Sequence, residues 1–279
     1  MRELHAYFAR IGFGAPAAPT LQVLSDLHRL HADAIPFENL AAFLGEPIRL
    51  DPASIHEKLV DGRRGGWCFE QNLLFARVLE AIGFPVRRLS ARVRWNVPPG
   101  VVTARSHMLM RVTAEGREWI ADVGFGGQSL TAPLLLVPYV AQPTPHETYR
   151  LLPEGDGFVL EADVAGEWQA LYAFDLHEQH LADYEVSNWY LANHPQSQFV
   201  TGIVAARAGA DRRHALRNAR YAIHHRDGRT ERRLIASVED FRSVLEEDLR
   251  IPLPDSPRLD EGLARLVRVE REASGGEPR

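Results

Sequence analysis

The only cysteine of the chain, Cys68, lies in a segment that suits a reactive thiol. Gly65 and Gly66 precede it, and an apolar helix pattern begins directly after it. The N-terminus of a helix stabilises negative charge through its unpaired amide groups and its dipole, which favours the thiolate form of a cysteine. A lone cysteine is more often a small buried hydrophobic residue than a nucleophile. The glycines and the helix start favour the catalytic interpretation, provided that a base lies nearby.

Two further residues could form a catalytic unit with Cys68. A reactive thiol needs a base beside it and often a third group that orients the base. His107 and Asp122 lie in two strand-like runs, 107–112 and 118–123, which a short turn joins into a predicted hairpin. Asp122 stands among apolar residues, where a carboxylate needs a partner such as an imidazolium. The residues therefore predict a Cys-His-Asp triad in which the thiolate pairs with His107.

The register of this hairpin decides whether His107 and Asp122 meet. If Thr113 pairs with Gly116, His107 faces Asp122 directly, with Cβ atoms about 4.5–5.5 Å apart. A slip by one residue would turn Asp122 to the other face of the hairpin. The triad interpretation thus predicts this register, or a bulge that restores it.

The glycine-rich run 124–127 begins two residues after Asp122, and glycines allow the backbone to approach a ligand closely.

The composition is that of an ordinary globular protein. The 279 residues are 45% hydrophobic and 25% charged, and the formal net charge of −5 argues against a broad nucleic-acid-binding surface. One cysteine cannot form an intrachain disulfide, and we find neither a signal peptide nor an apolar run of membrane-spanning length. We therefore expect a cytoplasmic protein without nucleic-acid or membrane partners, and a homodimer is considered as its assembly.

Helical patterns dominate the first third of the chain. Apolar residues at helical spacing predict helices in 4–11, 21–30 and 52–60. Thr20 suits the N-cap of the second of these helices. A further helix is expected to begin at Cys68 and to end at Gly83, where a C-terminal glycine cap belongs.

Strand patterns begin after Pro85 and continue to the last third of the chain. Besides the hairpin of His107 and Asp122, they predict strands in 86–95, 149–152, 158–162, 168–173, 199–205, 220–225 and 232–235, and a turn at 98–100. Helices are expected in 183–191, 238–249 and 259–267. Because helices, antiparallel strands and a mixed region follow one another rather than alternate, the chain is predicted to be α+β with about three modules.

Five motifs make the chain resemble the arylamine N-acetyltransferase family. They have the order and spacing of that family and occupy residues 36–40, 64–72, 106–107, 122–127 and 238–241. The resemblance extends over nearly the whole chain and is weakest between Leu130 and Gln179. It implies an N-terminal helical bundle (1–84), a central antiparallel β-barrel (85–195) and a C-terminal α/β lid (196–279), with a papain-like cysteine-protease-type core. The nucleophile would lie in the first domain, and the histidine and aspartate in the second.

The resemblance also implies a reaction and its site residues. Cys68, assisted by His107 and Asp122, would take an acetyl group from acetyl-CoA and pass it to the nitrogen of an arylamine, an arylhydrazine or a similar acceptor in a ping-pong mechanism. Acetyl-CoA is thus a co-substrate, and no metal is expected. The implied apolar walls around the acceptor ring are Phe37, Val93, Phe125 and Phe199. The implied positions near CoA are Trp95, Ser106, Gly124 and Gly126.

Other interpretations stay open on the residues alone. A cysteine protease or a transglutaminase-like hydrolase could use the same Cys-His-Asp order, and its acyl donor would distinguish it. A non-enzymatic binding module would keep Cys68 buried and inert towards iodoacetamide. A zinc site has little support because the chain has no CxxC or HExxH pattern. Glu38 and Arg64 are expected to form a buried ion pair with a structural role.

Overall fold

The computed structural model describes residues 2–98 and 100–275. The turn predicted at 98–100 includes Pro99, which lies outside the described residues. The N-terminal part contains α1 (Arg2–Ile11), α2 (Leu21–Ala34), β1 (Phe37–Glu38), α3 (Leu40–Phe43), α4 (Pro52–His56) and α5 (Cys68–Ile82). A π-helical turn, Glu57–Asp61, extends α4.

Local signals set the ends of α2 and α5 as the sequence predicts. Thr20 Oγ1 accepts the backbone N–H of Val23 at 3.3 Å, which caps α2. Gly83 has a φ of +105° and ends α5, a conformation that glycine adopts without the strain of a side chain. Most residues of α5 are buried, and they pack against α1, α2 and the strand that carries His107 in the largest apolar core of the described chain.

An antiparallel sheet of eight strands follows the helices. Its strands are β2 (Val86–Val93), β3 (Arg105–Ala114), β4 (Arg117–Ala121), β5 (Leu134–Leu135), β6 (Gln142–Pro143), β7 (Thr148–Glu154), β8 (Gly157–Val164) and β9 (Glu167–Asp175), paired in the order β5-β4-β3-β2-β9-β8-β7-β6. The Gln142 side chain bridges the two edge strands, because it accepts the Leu135 N–H at 2.8 Å and donates to the Leu135 carbonyl at 2.9 Å. The sheet therefore nearly closes into a barrel.

The predicted register of the β3–β4 hairpin is wrong by two residues. Ala114 pairs with Arg117, so the turn has two residues, Glu115 and Gly116. Both have positive φ, 51° and 72°, as in the type I′ turns that match the twist of a hairpin. Thr113 consequently pairs with Glu118 instead of Gly116.

This correction keeps His107 and Asp122 on the same face of the hairpin. The residue numbers of each observed pair add up to 231 instead of the predicted 229, which is a shift of two residues. Side chains along a strand alternate between its two faces with a period of two, so this shift does not change the face on which a residue lies. Asp122 therefore lies diagonally from His107, just beyond the end of β4, instead of directly opposite.

The C-terminal part combines helices with a second antiparallel sheet. It contains α6 (Leu181–Asn193), α7 (Gln198–Thr201), β10 (Val204–Ala208), β11 (Arg212–Arg217), β12 (Arg220–His225), β13 (Thr230–Leu234), α8 (Val238–Ser243) and α9 (Pro257–Gly275). A π-helical turn, Val244–Asp248, extends α8. The strand predicted at 199–205 is wrong in its first half, because Ser197 Oγ accepts the Phe199 N–H and starts the helix α7.

The α+β fold class is confirmed. The helical part and the C-terminal sheet share strands, since β1 pairs with β10 at the edge of the order β1-β10-β11-β12-β13. The division of the chain at residues 84 and 195 stays a prediction. No helix among the described residues is both long enough and apolar enough to cross a membrane.

Candidate active site

Cys68 is the first residue of α5, and the residues around it fix the start of that helix. The Glu70 side chain accepts the backbone N–H of Trp67 at 3.1 Å, and Lys58 Nζ pairs with the other carboxylate oxygen at 2.7 Å. Gly66 leaves room for this carboxylate, because a Cβ at that position would lie 2.7 Å from Glu70 Oε2. Cys68 therefore sits among the N–H groups of the first turn, which stabilise negative charge.

The Cys68 side chain lies between the β3 strand and the glycine-rich segment after β4. Its Sγ atom is 3.8 Å from the Ser106 carbonyl, and it is within hydrogen-bonding reach of His107. Gly124 packs directly on the backbone of Cys68, since a Cβ at residue 124 would lie 2.8 Å from the Cys68 Cα. The absence of a side chain at Gly124 is thus what allows the two segments to meet.

His107 and Asp122 form a buried hydrogen-bonded pair. His107 Nε2 is 2.7 Å from Asp122 Oδ2, and the two side chains are 3% and 0% exposed. Because Asp122 engages Nε2, the other ring nitrogen, Nδ1, is the one left for Cys68. The three residues of the predicted triad are therefore brought together in the order Cys68, His107, Asp122.

The electrostatics of this pair favour an imidazolium and a carboxylate. Burial alone would lower the pKa of His107, but Asp122 and then Cys68 outweigh it and raise that pKa to about 10. Burial opposes the charge of Asp122 as well, yet His107, the Asn72 amide and the Gly124 N–H hold the pKa of the carboxyl below its usual range. His107 therefore presents a positive charge to the side chain of Cys68.

Asn72 and His28 support Asp122, and the sequence gives no direct sign of either role. Asn72 Nδ2 donates to Asp122 Oδ1 at 3.0 Å and to the Met108 carbonyl at 2.7 Å. His28 Nε2 accepts the backbone N–H of Asp122 at 3.1 Å. Asn72 stands one helical turn after Cys68, which is the one signal that could have indicated it. His28 comes from α2, far away in the sequence.

We expect His28 to make the fold sensitive to acid. Burial lowers the pKa of His28 to about 4, so the residue is neutral in the folded protein and binds a proton more readily when unfolded. Its contribution to stability is complete above pH ~6.5 and is lost as the pH falls towards 4, by about 3 kcal/mol in the free energy of unfolding. Urea denaturation at pH 7 and pH 4 measures this loss.

The variant His28→Gln keeps an acceptor for the Asp122 N–H but cannot bind the proton. We expect its free energy of unfolding to fall less between pH 7 and pH 4 than that of the wild type. His5→Gln is the matched control, because His5 is exposed on α1. An equal pH dependence in wild type and His28→Gln would contradict the expectation.

A cavity of about 600 Å³ opens beside Cys68, between the barrel and the C-terminal sheet. Every predicted site residue except Asp122 lines it, and Asp122 lies buried behind His107. The lining positions predicted from the sequence are Cys68, His107, Phe37, Val93, Phe125, Phe199, Trp95, Ser106, Gly124 and Gly126. The cavity wall also contains residues that the sequence did not indicate, among them Trp67, Ala206, Ala215, Arg217 and Arg220.

Aromatic rings surround the thiol end of the cavity. The ring centroids of Phe37 and Phe199 are 6.2 Å apart, and Trp67 meets Phe199 edge to face at 5.4 Å. Phe125 packs against the His107 ring at 4.9 Å. Such a wall suits a flat aromatic ligand, because each offset or edge contact contributes about 0.5–1.5 kcal/mol beyond burial.

The ion pair predicted between Glu38 and Arg64 is confirmed. Arg64 Nη2 lies 2.8 Å from Glu38 Oε1, and the carboxylate is fully buried. The second oxygen of Glu38 accepts the Leu40 N–H at 2.7 Å. The pair joins β1 and α3 to the segment before Cys68, which fits a structural role.

Comparison with known proteins identifies the family. A family profile described as N-acetyltransferase matches residues 20–257. An arylamine N-acetyltransferase of Mycobacterium tuberculosis is 43% identical over 274 residues, covering 94% of this chain and 96% of the relative. One of Escherichia coli is 43% identical over 254 residues, covering 91% and 90%. The chain belongs to the arylamine N-acetyltransferase family. It is therefore an acyltransferase.

Solved structures of this family match the fold closely. The arylamine N-acetyltransferase of Mycobacterium marinum, in complex with CoA, has a TM-score of 0.91 and 41% sequence identity. The match covers 94% of this chain and 99% of the Mycobacterium marinum chain. The enzyme of Salmonella typhimurium has a TM-score of 0.88 at 38% identity, and the match covers 96% of this chain and 99% of the Salmonella chain. The barrel and the α+β architecture described above are thus those of the family.

Proposed function

We propose that this chain transfers an acetyl group from acetyl-CoA to the nitrogen of arylamines, arylhydrazines or similar acceptors, through a thioester on Cys68. The observation that carries the proposal is the buried, hydrogen-bonded pair of His107 and Asp122 behind the Cys68 thiol, with Cys68 and His107 at the wall of the cavity. Membership of the family supports it, and the relative from Mycobacterium marinum was solved in complex with CoA.

In the first half-reaction the Cys68 thiolate attacks the carbonyl carbon of the acetyl thioester. A bond forms between Cys68 Sγ and this carbon, the bond from the carbon to the CoA sulfur breaks, and CoA takes the His107 proton as it leaves. Transfer of the acetyl group from one thiol to another is nearly balanced in free energy, so neither acetyl-CoA nor acetyl-Cys68 is strongly favoured. The backbone N–H of Cys68, at the first turn of α5, is suited to stabilise the developing oxyanion.

In the second half-reaction the acceptor nitrogen attacks the acetyl-Cys68 thioester. An aromatic amine is largely neutral at pH 7, so its lone pair is available without prior loss of a proton. His107 takes the proton that the nitrogen loses as the amide bond forms, and Cys68 leaves as the thiolate. Phe37, Phe125 and Phe199 would hold the aromatic ring beside the thioester.

The charge of the cavity suits an anionic acyl donor such as acetyl-CoA. Its lining within the described residues contains two arginines and neither aspartate nor glutamate, although the chain is acidic overall. Arg217 and Arg220 stand directly opposite each other on β11 and β12, and like charges in this position repel. Glu270 pairs with Arg220, whereas Arg217 has no carboxylate partner in the described chain. A phosphate group of CoA would relieve this repulsion.

The variant Arg217→Ala should therefore weaken the use of acetyl-CoA and spare a neutral donor. We expect the KM for acetyl-CoA to rise about tenfold, the loss of one charge-assisted contact, and the KM for p-nitrophenyl acetate to stay unchanged. Arg226→Ala, at an exposed turn residue, is the control. An equal rise for both donors, or none for acetyl-CoA, would contradict the role of Arg217. Acetyl-dephospho-CoA shows whether the 3′-phosphate or the diphosphate is involved.

A direct test of the function measures CoA release with a panel of arylamines and arylhydrazines. Acceptor-dependent release of CoA, with acetylated acceptor as the product, would support the proposal. Hydrolysis of peptides or amides without modification of Cys68 by acetyl-CoA would favour a cysteine hydrolase or a transglutaminase-like enzyme instead. A thiol that reacts with iodoacetamide only near pH 8 or above would favour a binding module.

A further inference from the structure

A buried arginine joins the C-terminal sheet to the barrel beside the active site. The Arg213 side chain on β11 is 2% exposed. Its Nε atom donates to Glu147 Oε1 at 2.8 Å, and its Nη2 atom donates to Glu147 Oε2 at 2.5 Å. Tyr149 on β7 donates to the same Oε2 at 3.0 Å. Glu147 and Tyr149 belong to the region in which the sequence indicates no motif.

Arg213 also holds the segment that follows the catalytic aspartate. Its Nη2 atom donates to the Ser129 carbonyl at 2.9 Å. On the same strand, Ala215 approaches Gly127, where an added Cβ would lie 3.9 Å from the Ala215 Cβ. The other end of this segment is tied down by the bond from the Gly124 N–H to Asp122. Phe125, which packs on His107, is thus carried between two fixed ends.

A buried ion pair of this kind is a costly way to stabilise a fold. Removing each of the two charges from water opposes folding, and apolar residues of similar size often stabilise a protein equally well. Burial opposes the charge of Glu147, but Arg213 holds the pKa of this carboxyl below its usual range. What an apolar pair could not supply is the directed contact with the Ser129 carbonyl.

We propose that Arg213 is a positioning residue for acetyl transfer, which sets the segment from Gly124 to Ser129 and thereby the place of Phe125 in the cavity. This inference rests on the proposed function. Arg213 does not touch the reacting atoms, and none of the hydrogen bonds described for His107 and Asp122 involves it. Its loss should therefore impair substrate binding while the reactivity of Cys68 persists.

The variant Arg213→Lys tests this inference. A lysine keeps the charge for Glu147, but a single ammonium lacks the planar fork that serves Glu147 and Ser129 together. We expect the KM values for acceptor and acetyl-CoA to rise about tenfold from displacement of the cavity wall. The alkylation rate of Cys68 by iodoacetamide should stay at the wild-type value. Arg150→Lys is the matched control, because Arg150 pairs with Glu161 on the neighbouring strand, away from this segment.

Two outcomes would overturn the inference. One is a folded Arg213→Lys variant, judged by circular dichroism, with wild-type KM values. Another is a fall in alkylation in proportion to the loss of turnover, which would indicate general damage. If Arg213→Lys does not fold, Tyr149→Phe keeps the ion pair and should shift KM in the same direction by less. Failure of the proposed function can be distinguished from these results with the variants, because the wild-type protein itself would then not acetylate an arylamine.

Discussion

Asp122→Asn is expected to lower kcat/KM for acetyl transfer about 10⁴-fold while the protein remains folded. Two donors, Asn72 Nδ2 and the Gly124 N–H, point at Oδ1, so an asparagine would keep its carbonyl oxygen there. Its NH₂ group would then face His107 Nε2, where the carboxylate oxygen now lies. The ring would have to accept at Nε2 and carry its proton on Nδ1. A histidine in this tautomer cannot take a proton from Cys68.

Steady-state kinetics with acetyl-CoA and an arylamine measure this effect, and circular dichroism reports folding. Asp156→Asn serves as the control, because Asp156 is exposed in the turn between β7 and β8. The wild-type chain and this control should have the same rates. Activity of folded Asp122→Asn within about tenfold of the wild type would contradict the role given to Asp122, since orientation of the base would then matter little.

Cys68→Ala should lose acetyl transfer almost completely, at least about 10³-fold in kcat. Without the thiol no acetyl-enzyme can form, and His107 and the cavity could at best assist a direct reaction between the two substrates. The fold should persist, because Cys68 is a small residue and His107 keeps its hydrogen bond to Asp122. Comparison of initial rates at saturating acetyl-CoA measures the loss.

Cys68→Ser is the companion variant. It keeps a small polar group at the start of α5, but a hydroxyl is a far weaker nucleophile at neutral pH than a thiol. We expect it to resemble Cys68→Ala in turnover and to resist iodoacetamide. Retained turnover in Cys68→Ala would mean that acetyl transfer does not pass through residue 68.

Local patterns made much of the fold and of the triad predictable. The N-cap at Thr20, the start of α5 at Cys68 and its end at Gly83 depend on neighbouring residues alone, and the structure has them as predicted. His107 and Asp122 were found on the same face because strand periodicity survives a register error of two residues. That error arose from the turn, where Glu115 adopts a positive φ that its residue type does not indicate.

Sequence patterns do not indicate contacts between residues that are far apart in the chain. His28 reaches Asp122 across 94 residues and Arg213 reaches Ser129 across 84, and nothing in the local sequence of either partner specifies the other. Likewise, the residue types of Phe199 and Val200 favour a strand, whereas the Ser197 side chain caps the helix α7 at this place. The contacts of Arg217 depend on the pairing of β11 with β12, which only the fold establishes.

The most direct test of the acetyl-Cys68 mechanism is the intact mass of the protein after incubation with acetyl-CoA alone. We predict the addition of one acetyl group, located on Cys68 by peptide mapping, with release of one equivalent of CoA. Addition of an arylamine should then restore the original mass and yield the acetylated amine. An unmodified protein that nevertheless acetylates the amine when both substrates are present would contradict the mechanism.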